Sequence, residues 1–208
     1  DPRDAEDERV ASSPLTLVAK ALAADDMTAD DMTADDIAAM CGTPVDWACL
    51  GTDTTATVGF APFPHTAIGQ LGVTAAVVGV GGGSVPTSGD PTFTLWARRI
   101  SADSSNGAGD GTALTTIQTR PSRFDVAVGA EAELVDPGDP RFELLAPSST
   151  TPVEVVVSTP AGTEPPSRLI DALRDELAAA GWSPAGTART EVSAGDMLAV
   201  RAIWKAFS

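Results

Sequence analysis

The C-terminal quarter of the chain, residues 153–207, constrains the fold more than any other stretch, because every local signal in it agrees. It begins with a β-branched run of valines, and Thr163-Glu164-Pro165-Pro166 then has the composition of a helix start. Leucine and isoleucine recur at helical spacing from Leu169 to Leu177. Strand-like runs follow at 187–193 and 197–207. The sequence therefore predicts a β-α-β-β module with its helix over a small sheet.

The alternation of apolar and polar residues in the last run, 197–207, predicts which of its side chains are buried. As a strand, this run places Leu198, Val200 and Trp204 on one face and Arg201 on the other. We expect the first face to pack under the 169–177 helix, with Trp204 as its largest anchor. Arg201 is then exposed.

The middle of the chain, residues 52–152, is divided into short segments by Gly and Pro, of which the whole chain has nineteen and sixteen. Short strands separated by turns are typical of sandwiches and barrels, so we predict a β-rich body of that kind. The predicted strands are at 54–60, 73–80, 92–100, 113–119, 124–128 and 142–145.

The N-terminal region, residues 1–51, has a different composition. Residues 1–13 are small and charged, which predicts a loosely held arm. Ser13-Pro14 resembles the cap and first residue of a helix that continues to about Ala24. Three Asp-Asp repeats follow in 25–36, and their five-residue period does not fit one amphipathic helix. A capping box from Thr33 predicts a new helix at about 35–41.

A further short turn of helix is predicted to reach Leu50 through Trp47, just before Gly51. The predicted fold class is thus α+β and mainly β: a sandwich-like or barrel-like body, a short helical N-terminal region and the C-terminal β-α-β-β module. The predicted boundaries are 1–51, 52–152 and 153–208, with the last two regions forming one continuous domain.

The net charge of −16 limits the partners of the chain. Such a charge repels nucleic-acid phosphates and anionic lipids, and no local basic patch opposes it. Arg98-Arg99 is the one adjacent basic pair, and we interpret it as a solvated strand edge. No apolar run approaches the roughly 20 residues that span a bilayer. We therefore expect protein partners or further copies of the chain, without direct nucleic-acid contact or a membrane span.

No group of residues predicts catalysis, a cofactor or a metal. His65 is the single histidine, and its position in Phe63-Pro64-His65 predicts an exposed loop. The glycines at 79–83 are followed by a turn, so we predict a flexible hairpin connection and no phosphate loop. The acidic, glycine-rich run at 103–111 lacks calcium-site spacing and is predicted to be a surface loop.

The two cysteines of the chain, Cys41 and Cys49, are eight positions apart. In an oxidising compartment they would form a disulfide that ties together the short N-terminal helices. Two reduced core cysteines are the alternative, and the sequence does not decide between them.

The absence of a catalytic group in the sequence favours a structural or assembly protein, and an enzyme ranks third. A subunit of a virus or phage particle (capsid, decoration or tail) is our leading functional hypothesis, since such subunits are often β-rich and have extended arms. The sequence leaves the location unknown; this hypothesis favours a virion, with a secreted or cell-envelope location as the alternative, and the predicted state is a homo-oligomer or part of a larger assembly. The alternative is an exported bacterial envelope or lipoprotein ectodomain that binds a small ligand or a protein partner.

Overall fold

The longest strand, β1 (Ala5–Lys20), takes part in all but one of the strand pairings between the described elements. Its N-terminal part pairs antiparallel with β5 (Pro152–Pro160), from Ala5 opposite Pro160 to Pro14 opposite Pro152. Its C-terminal part, residues 15–20, pairs antiparallel with β3 (Val126–Ala130) on one side and β4 (Phe142–Leu145) on the other. Pro14, which has no N–H to donate, lies where β1 changes partners.

The computed structural model describes residues 5–21, 32–63, 65–104, 113–134, 136, 138–160, 163–185 and 192–204. Two short strands complete the sheet formed by these residues. The strand β2 (Val58–Gly59) lies parallel to β3, and β6 (Ser183–Pro184) lies antiparallel to Ala11 and Ser12 of β1. The result is a mixed six-stranded sheet in which β1 pairs with every other strand except β2.

Helices account for most of the rest of the described chain. They are α1 (Ala34–Cys41), α2 (Trp47–Thr52), α3 (Ala67–Val80), α4 (Pro91–Ser104), α5 (Ala113–Thr119), α6 (Ser167–Ala179) and α7 (Ala194–Trp204). A single 3-10 turn, residues 131–133, follows β3.

The main core lies between the β1–β3 part of the sheet and the helices α2, α3, α4 and α7. The largest of its fully buried side chains are aromatic: Trp47, Phe60, Phe93 and Trp96. Helix α3 is apolar around most of its circumference, and its residues 72–78 are all buried. A helix that is apolar all round belongs inside a protein.

The predicted β-rich, barrel-like body is wrong. Three of its predicted strands, 73–80, 92–100 and 113–119, lie in helices α3, α4 and α5. In α4 the buried residues Phe93, Trp96, Ala97 and Ile100 recur at helical spacing, whereas Leu95, which the strand prediction placed beside Phe93, is exposed. The predicted strands at 124–128 and 142–145 are confirmed as β3 and β4, and 54–60 shrinks to β2.

The predicted C-terminal module is half right. Its first strand and its helix are confirmed as β5 and α6. The last strand is wrong, because the chain forms α7 from Ala194 to Trp204. Ser193 starts this helix: its hydroxyl accepts the Asp196 N–H at 3.1 Å and donates to the Asp196 carboxylate at 2.7 Å. The predicted strand 187–193 falls mostly outside the described residues.

The predicted N-terminal arm and the helix to Ala24 are also wrong, because both fall on β1 as far as Lys20. Residues 5–13 pair with β5, and Val10 and Ser13 are buried. The helix at 35–41 is confirmed as α1 with its capping box, in which the Thr33 hydroxyl accepts the Asp36 N–H at 3.2 Å. The hydrogen bond that Thr33 donates to Asp36 lowers the pKa of that carboxyl. Most of the Asp-Asp repeat falls outside the described residues.

The short helix predicted up to Leu50 is confirmed as α2, although it begins at Trp47 and continues to Thr52.

Arg98 and Arg99 do not form a strand edge. Both lie on α4, where Arg99 donates hydrogen bonds to the carbonyl oxygens of Thr54 and Ala56. The boundaries 1–51, 52–152 and 153–208 stay a prediction.

Candidate ligand cleft

A cleft of about 550 Å³ opens where three segments of the chain meet. The first segment is the start of α2, the second is the C-terminal end of α3, and the third is the connection between β4 and β5. The residues that line the cleft are Asp46, Val78, Gly79, Gly82, Gly83, Ser148 and Ser149. Its wall therefore combines two serines, one carboxylate, glycine backbone and the apolar residue Val78.

Backbone hydrogen bonds fix two of the three segments to each other. Val45 donates its N–H to the Ala146 carbonyl at 2.8 Å, and Ser148 donates its N–H to the Val45 carbonyl at 2.8 Å. The buried Trp47 adds a side-chain bond, since its Nε1 donates to the Ser149 carbonyl at 2.8 Å. The side of the cleft between Asp46 and Ser149 is thus held by three hydrogen bonds across about a hundred residues of sequence.

The third segment ends a helix with glycine. Gly82 and Gly83 have positive φ angles of 65° and 100°, which favour glycine over any residue with a side chain. Gly83 donates its N–H to the Val78 carbonyl at 2.9 Å, and so closes the turn after α3. Gly79 packs directly against the Trp47 ring, where a Cβ atom would collide with it. Glycine therefore allows the tight turn after α3 and the close contact of this helix with Trp47.

A disulfide lies behind the Asp46 side of the cleft. It joins Cys41, the last residue of α1, to Cys49 in α2, with a Cα–Cα distance of 5.5 Å. Asp46 is the cap of α2, and its Oδ1 accepts the Cys49 N–H at 2.8 Å. The disulfide therefore anchors the first turn of α2, at whose start Asp46 lies. The oxidation state of the pair in the protein's own compartment stays a prediction.

The charges around the cleft favour donor groups. Its lining includes one carboxylate, Asp46, and no Lys, Arg or His. The C-terminal end of α3 also faces it, and a helix C-terminus carries a partial negative charge on its last carbonyl groups. Such a cleft suits hydroxyl, amide or ammonium donors better than an anion.

Metal binding finds no support in the part of the chain that the structure describes. There, no three His, Cys, Asp or Glu side chains lie close enough together to hold an ion. The whole chain also lacks Tyr and has a single His.

Within the described residues, no helix is both long and apolar enough to cross a bilayer.

His65 lies far from the cleft, as an exposed residue in the turn that precedes α3. The cleft is at the other end of this 14-residue helix, which is about 20 Å long at 1.5 Å per residue. The acidic run 103–111 falls mostly outside the described residues, and its first residue, Asp103, belongs to α4.

The cleft is not predicted from the sequence, because the glycines at 79–83 suggest a hairpin connection, and that prediction is wrong: residues 79–80 end α3. The signal that would have identified it is a glycine cluster directly after a long apolar run, which is typical of a helix C-terminus. Asp46 was passed over as an ordinary helix start. No local pattern links either segment to Ser148 and Ser149.

Comparison with known proteins identifies no family: no family model matches the chain, and no curated protein matches it. Solved structures do match in part. The sulfate-binding protein SubI from Mycobacterium tuberculosis aligns with 94% of this chain and 62% of its own, at 14% identity and a TM-score of 0.48. A Bordetella ferric binding protein aligns with 98% and 61%, at 12% identity and a TM-score of 0.46. The chain thus spans about three fifths of the length of both proteins.

The prediction of a virus or phage subunit is wrong, and the virion location that went with it has no support. The main sequence argument for a subunit was an arm at 1–13 that orders only against a neighbouring chain. Residues 5–13 instead belong to β1 and are paired with β5 of the same chain.

Proposed function

We propose that this chain is an exported bacterial envelope domain that binds a small polar ligand in the cleft and does no chemistry on it. This is the alternative that the sequence analysis kept open. The observation that carries the proposal is the cleft itself, an opening of about 550 Å³ with both polar and apolar groups in its wall. Ligand sites in proteins are concave, few, and of about this volume.

The disulfide supports a location outside the cytosol. Both cysteines of the sequence are used in it. Disulfides persist in the periplasm and on cell surfaces and are rare in the cytosol. We infer the same compartment for this chain.

The chemistry of the lining supports an uncharged or cationic ligand. Ser148 offers a hydroxyl group at an exposed position, and Asp46 offers a carboxylate. Sulfate is a poor candidate, because the wall lacks a basic side chain and the chain carries a net charge of −16. Ferric ion is a poor candidate as well, since the described residues lack a metal-binding cluster.

Binding without catalysis agrees with the residues at the cleft. Its serines have no histidine beside them, because the only histidine of the sequence is at the far end of α3. Nucleophilic catalysis needs a base within hydrogen-bonding reach of the nucleophile. The one carboxylate of the described wall, Asp46, already serves as the cap of α2, where its Oδ1 accepts the Cys49 N–H.

A thermal-shift screen tests the proposal. The probes are neutral sugars and polyols, cationic amines, and the two oxyanions sulfate and phosphate. A ligand at 100 times its dissociation constant stabilises a protein by about 2.7 kcal/mol, which raises the melting temperature of a chain of this size by roughly 5–10 °C. We expect such a shift from a neutral or cationic probe and none from the oxyanions.

A pair of variants locates the site. Ser148→Trp fills the cleft from an exposed position, and Ser88→Trp makes the same change in an exposed turn outside it. The first variant should lose the ligand-induced shift and the second should keep it. A screen without any shift, or equal binding by both variants, would overturn the proposal.

A further inference from the structure

Asp46 is the one charged side chain in the described lining of the cleft, and it is exposed there. Its role as the cap of α2 uses one of its oxygens, since Oδ1 accepts the Cys49 N–H at 2.8 Å. A carboxylate has two oxygens and room for about four hydrogen bonds. Within the described residues no donor reaches Oδ2. Capping therefore leaves the second oxygen of Asp46 available to a ligand.

The carboxylate of Asp46 is held in place before any ligand arrives. The Asp46 N–H donates to the Cys41 carbonyl at 3.0 Å, so hydrogen bonds join this residue to both cysteines. The disulfide links the same two cysteines and closes the segment 41–49 around Asp46. A group fixed in this way loses little conformational freedom when it binds, which favours affinity.

The backbone of the cleft has few N–H groups left to donate. Four residues of the lining donate theirs to carbonyl groups of the protein at 2.8–3.0 Å: Asp46, Gly82, Gly83 and Ser148. Two more, Val78 and Gly79, lie inside α3, where each N–H bonds to the carbonyl four residues earlier. On balance the described lining offers acceptors, so its ligand must bring the donors.

We propose that the ligand carries an ammonium group and that Asp46 selects it over a neutral ligand of the same shape. This inference rests on the proposed function and narrows its ligand from a polar molecule to an organic amine. An ammonium has three N–H donors and no acceptor, which complements this wall. Its hydrogen bonds to a carboxylate are about twice as strong as those between neutral groups. The rest of the described lining is uncharged, so one ammonium group matches it.

The charge of the whole chain acts in the same direction. A net charge of −16 makes the surrounding potential negative, and a cleft focuses such a field and raises the local concentration of cations. No Lys, Arg or His of the described lining compensates Asp46. Salt shortens the Debye length from about 30 Å at 0.01 M to about 8 Å at 0.15 M. The preference for an amine should therefore weaken with salt.

Isothermal titration calorimetry with matched probes tests the inference. The members of each pair differ in an ammonium against a hydroxyl group: glucosamine against glucose, and ethanolamine against ethylene glycol. The measurement is made at about pH 6, where the amines are protonated. We expect the amine of at least one pair to bind about tenfold more tightly than its neutral partner. This advantage should fall several-fold between low and physiological salt.

A charge-removing variant assigns the preference to Asp46. Asp46→Asn keeps the cap of α2, because Asn and Asp cap helices about equally well. It should abolish the tenfold preference and leave the melting temperature without a probe unchanged. Asp90→Asn is the matched control, since Asp90 accepts the Phe93 N–H at 2.9 Å at the start of α4, outside the lining. If Asp46→Asn loses stability, Asp46→Ser repeats the test with another neutral cap.

The possible outcomes separate this inference from the proposed function. Equal binding of the amine and its neutral partner would overturn the inference while the proposed function stands. A preference for the amine that survives in both Asp46→Asn and Asp46→Ser would do the same. No binding by any probe would overturn both.

Discussion

Lys20 and Asp125 form a buried ion pair, with Nζ 2.9 Å from Oδ1 and each side chain 6% exposed. The other carboxylate oxygen of Asp125 accepts two hydrogen bonds from Thr57, from its N–H and its hydroxyl, each at 2.8 Å. The pair thus ties the end of β1 to the residues that precede β3 and β2. It uses one of the only two lysines in the chain.

Breaking this pair should destabilise the fold. Asp125→Ala leaves the Lys20 ammonium buried without its carboxylate, and such a loss typically costs about 3–5 kcal/mol. Urea denaturation would measure it. The control is Arg174→Ala, which removes an exposed ion pair with Glu8 at 2.7 Å, where a loss of at most about 1 kcal/mol is expected. Similar losses in the two variants would contradict a structural role for the buried pair.

At the end of α7, substitution of a buried residue should destabilise the fold as much as the loss of the Lys20–Asp125 pair. Substitution of an exposed residue of the same helix should have little effect. Trp204 packs edge-on against Trp96, with ring centroids 6.2 Å apart, and against Phe63 at 5.5 Å. Trp204→Ala leaves a cavity among these rings and should cost about 3–5 kcal/mol. Arg201→Ala, at an exposed position of the same helix, should cost under about 0.5 kcal/mol. Chemical denaturation of both variants decides, and a larger loss at Arg201 would show that α7 is rotated.

The same prediction for Trp204 came from the sequence, although for the wrong structure. Alternation correctly placed Trp204 and Val200 inside and Arg201 outside, because positions four apart share a face in a helix as well as in a strand. The signal that separates the two was present: Ser193 and Asp196 form a capping box, which belongs to a helix start. Trp204 also packs against α4 rather than under α6 as expected, and this long-range partner has no local signature.

Local sequence patterns predicted several helices and strands correctly. Contacts between segments that are distant in the sequence have no local pattern and were not predicted. Thr33 and Asp36 located α1, and the β-branched run after Pro152 located β5. The apolar run of α3 was ambiguous, because a buried strand and a buried helix have the same continuous pattern. Pro14 was interpreted as a helix start, whereas it lies in β1 at the change between two sets of partners. The cleft was not predicted, since its walls come from segments about a hundred residues apart.

Removing the disulfide should cost stability without changing the fold. The chain-entropy model gives about 2–3 kcal/mol for closing a loop as short as that between Cys41 and Cys49. We expect the double variant Cys41→Ala, Cys49→Ala to lose this amount in urea denaturation, and the wild type to lose a similar amount when a reductant is added. The reductant should not affect the double variant. Free thiols in the protein purified from its natural compartment would contradict the bond.

Glu133 should make the fold less stable as the pH rises. It is half-buried behind β3, and burial raises the pKa of its carboxyl, whose Oε2 has no hydrogen-bond partner among the described residues. A carboxyl with a higher pKa in the folded state holds its proton longer there than in the unfolded chain. Its contribution is therefore full below its ordinary pKa and is lost as the pH rises through the folded-state pKa. Glu133→Gln, which does not titrate, should gain stability relative to the wild type between acid and neutral pH.

Denaturation of the two proteins at several pH values measures this difference. Glu131→Gln is the matched control, because Glu131 is exposed in the same 3-10 turn. The stability difference between Glu133→Gln and the wild type should change with pH in the stated direction. A difference that stays constant, or that changes equally in the control, would contradict the burial argument.

Because β1 precedes all of its partner strands in the sequence, it stays unpaired for some time during synthesis. It is made first, yet its partners β3, β4, β5 and β6 end with Pro184. About 160 further residues must leave the ribosome after Lys20, which takes roughly 8–30 s at 5–20 residues per second. Until then β1, whose residues 14–19 are mainly apolar, has no complete sheet to join. A chaperone that binds extended apolar segments would protect the nascent chain at this point, and β1 would be the segment that it holds.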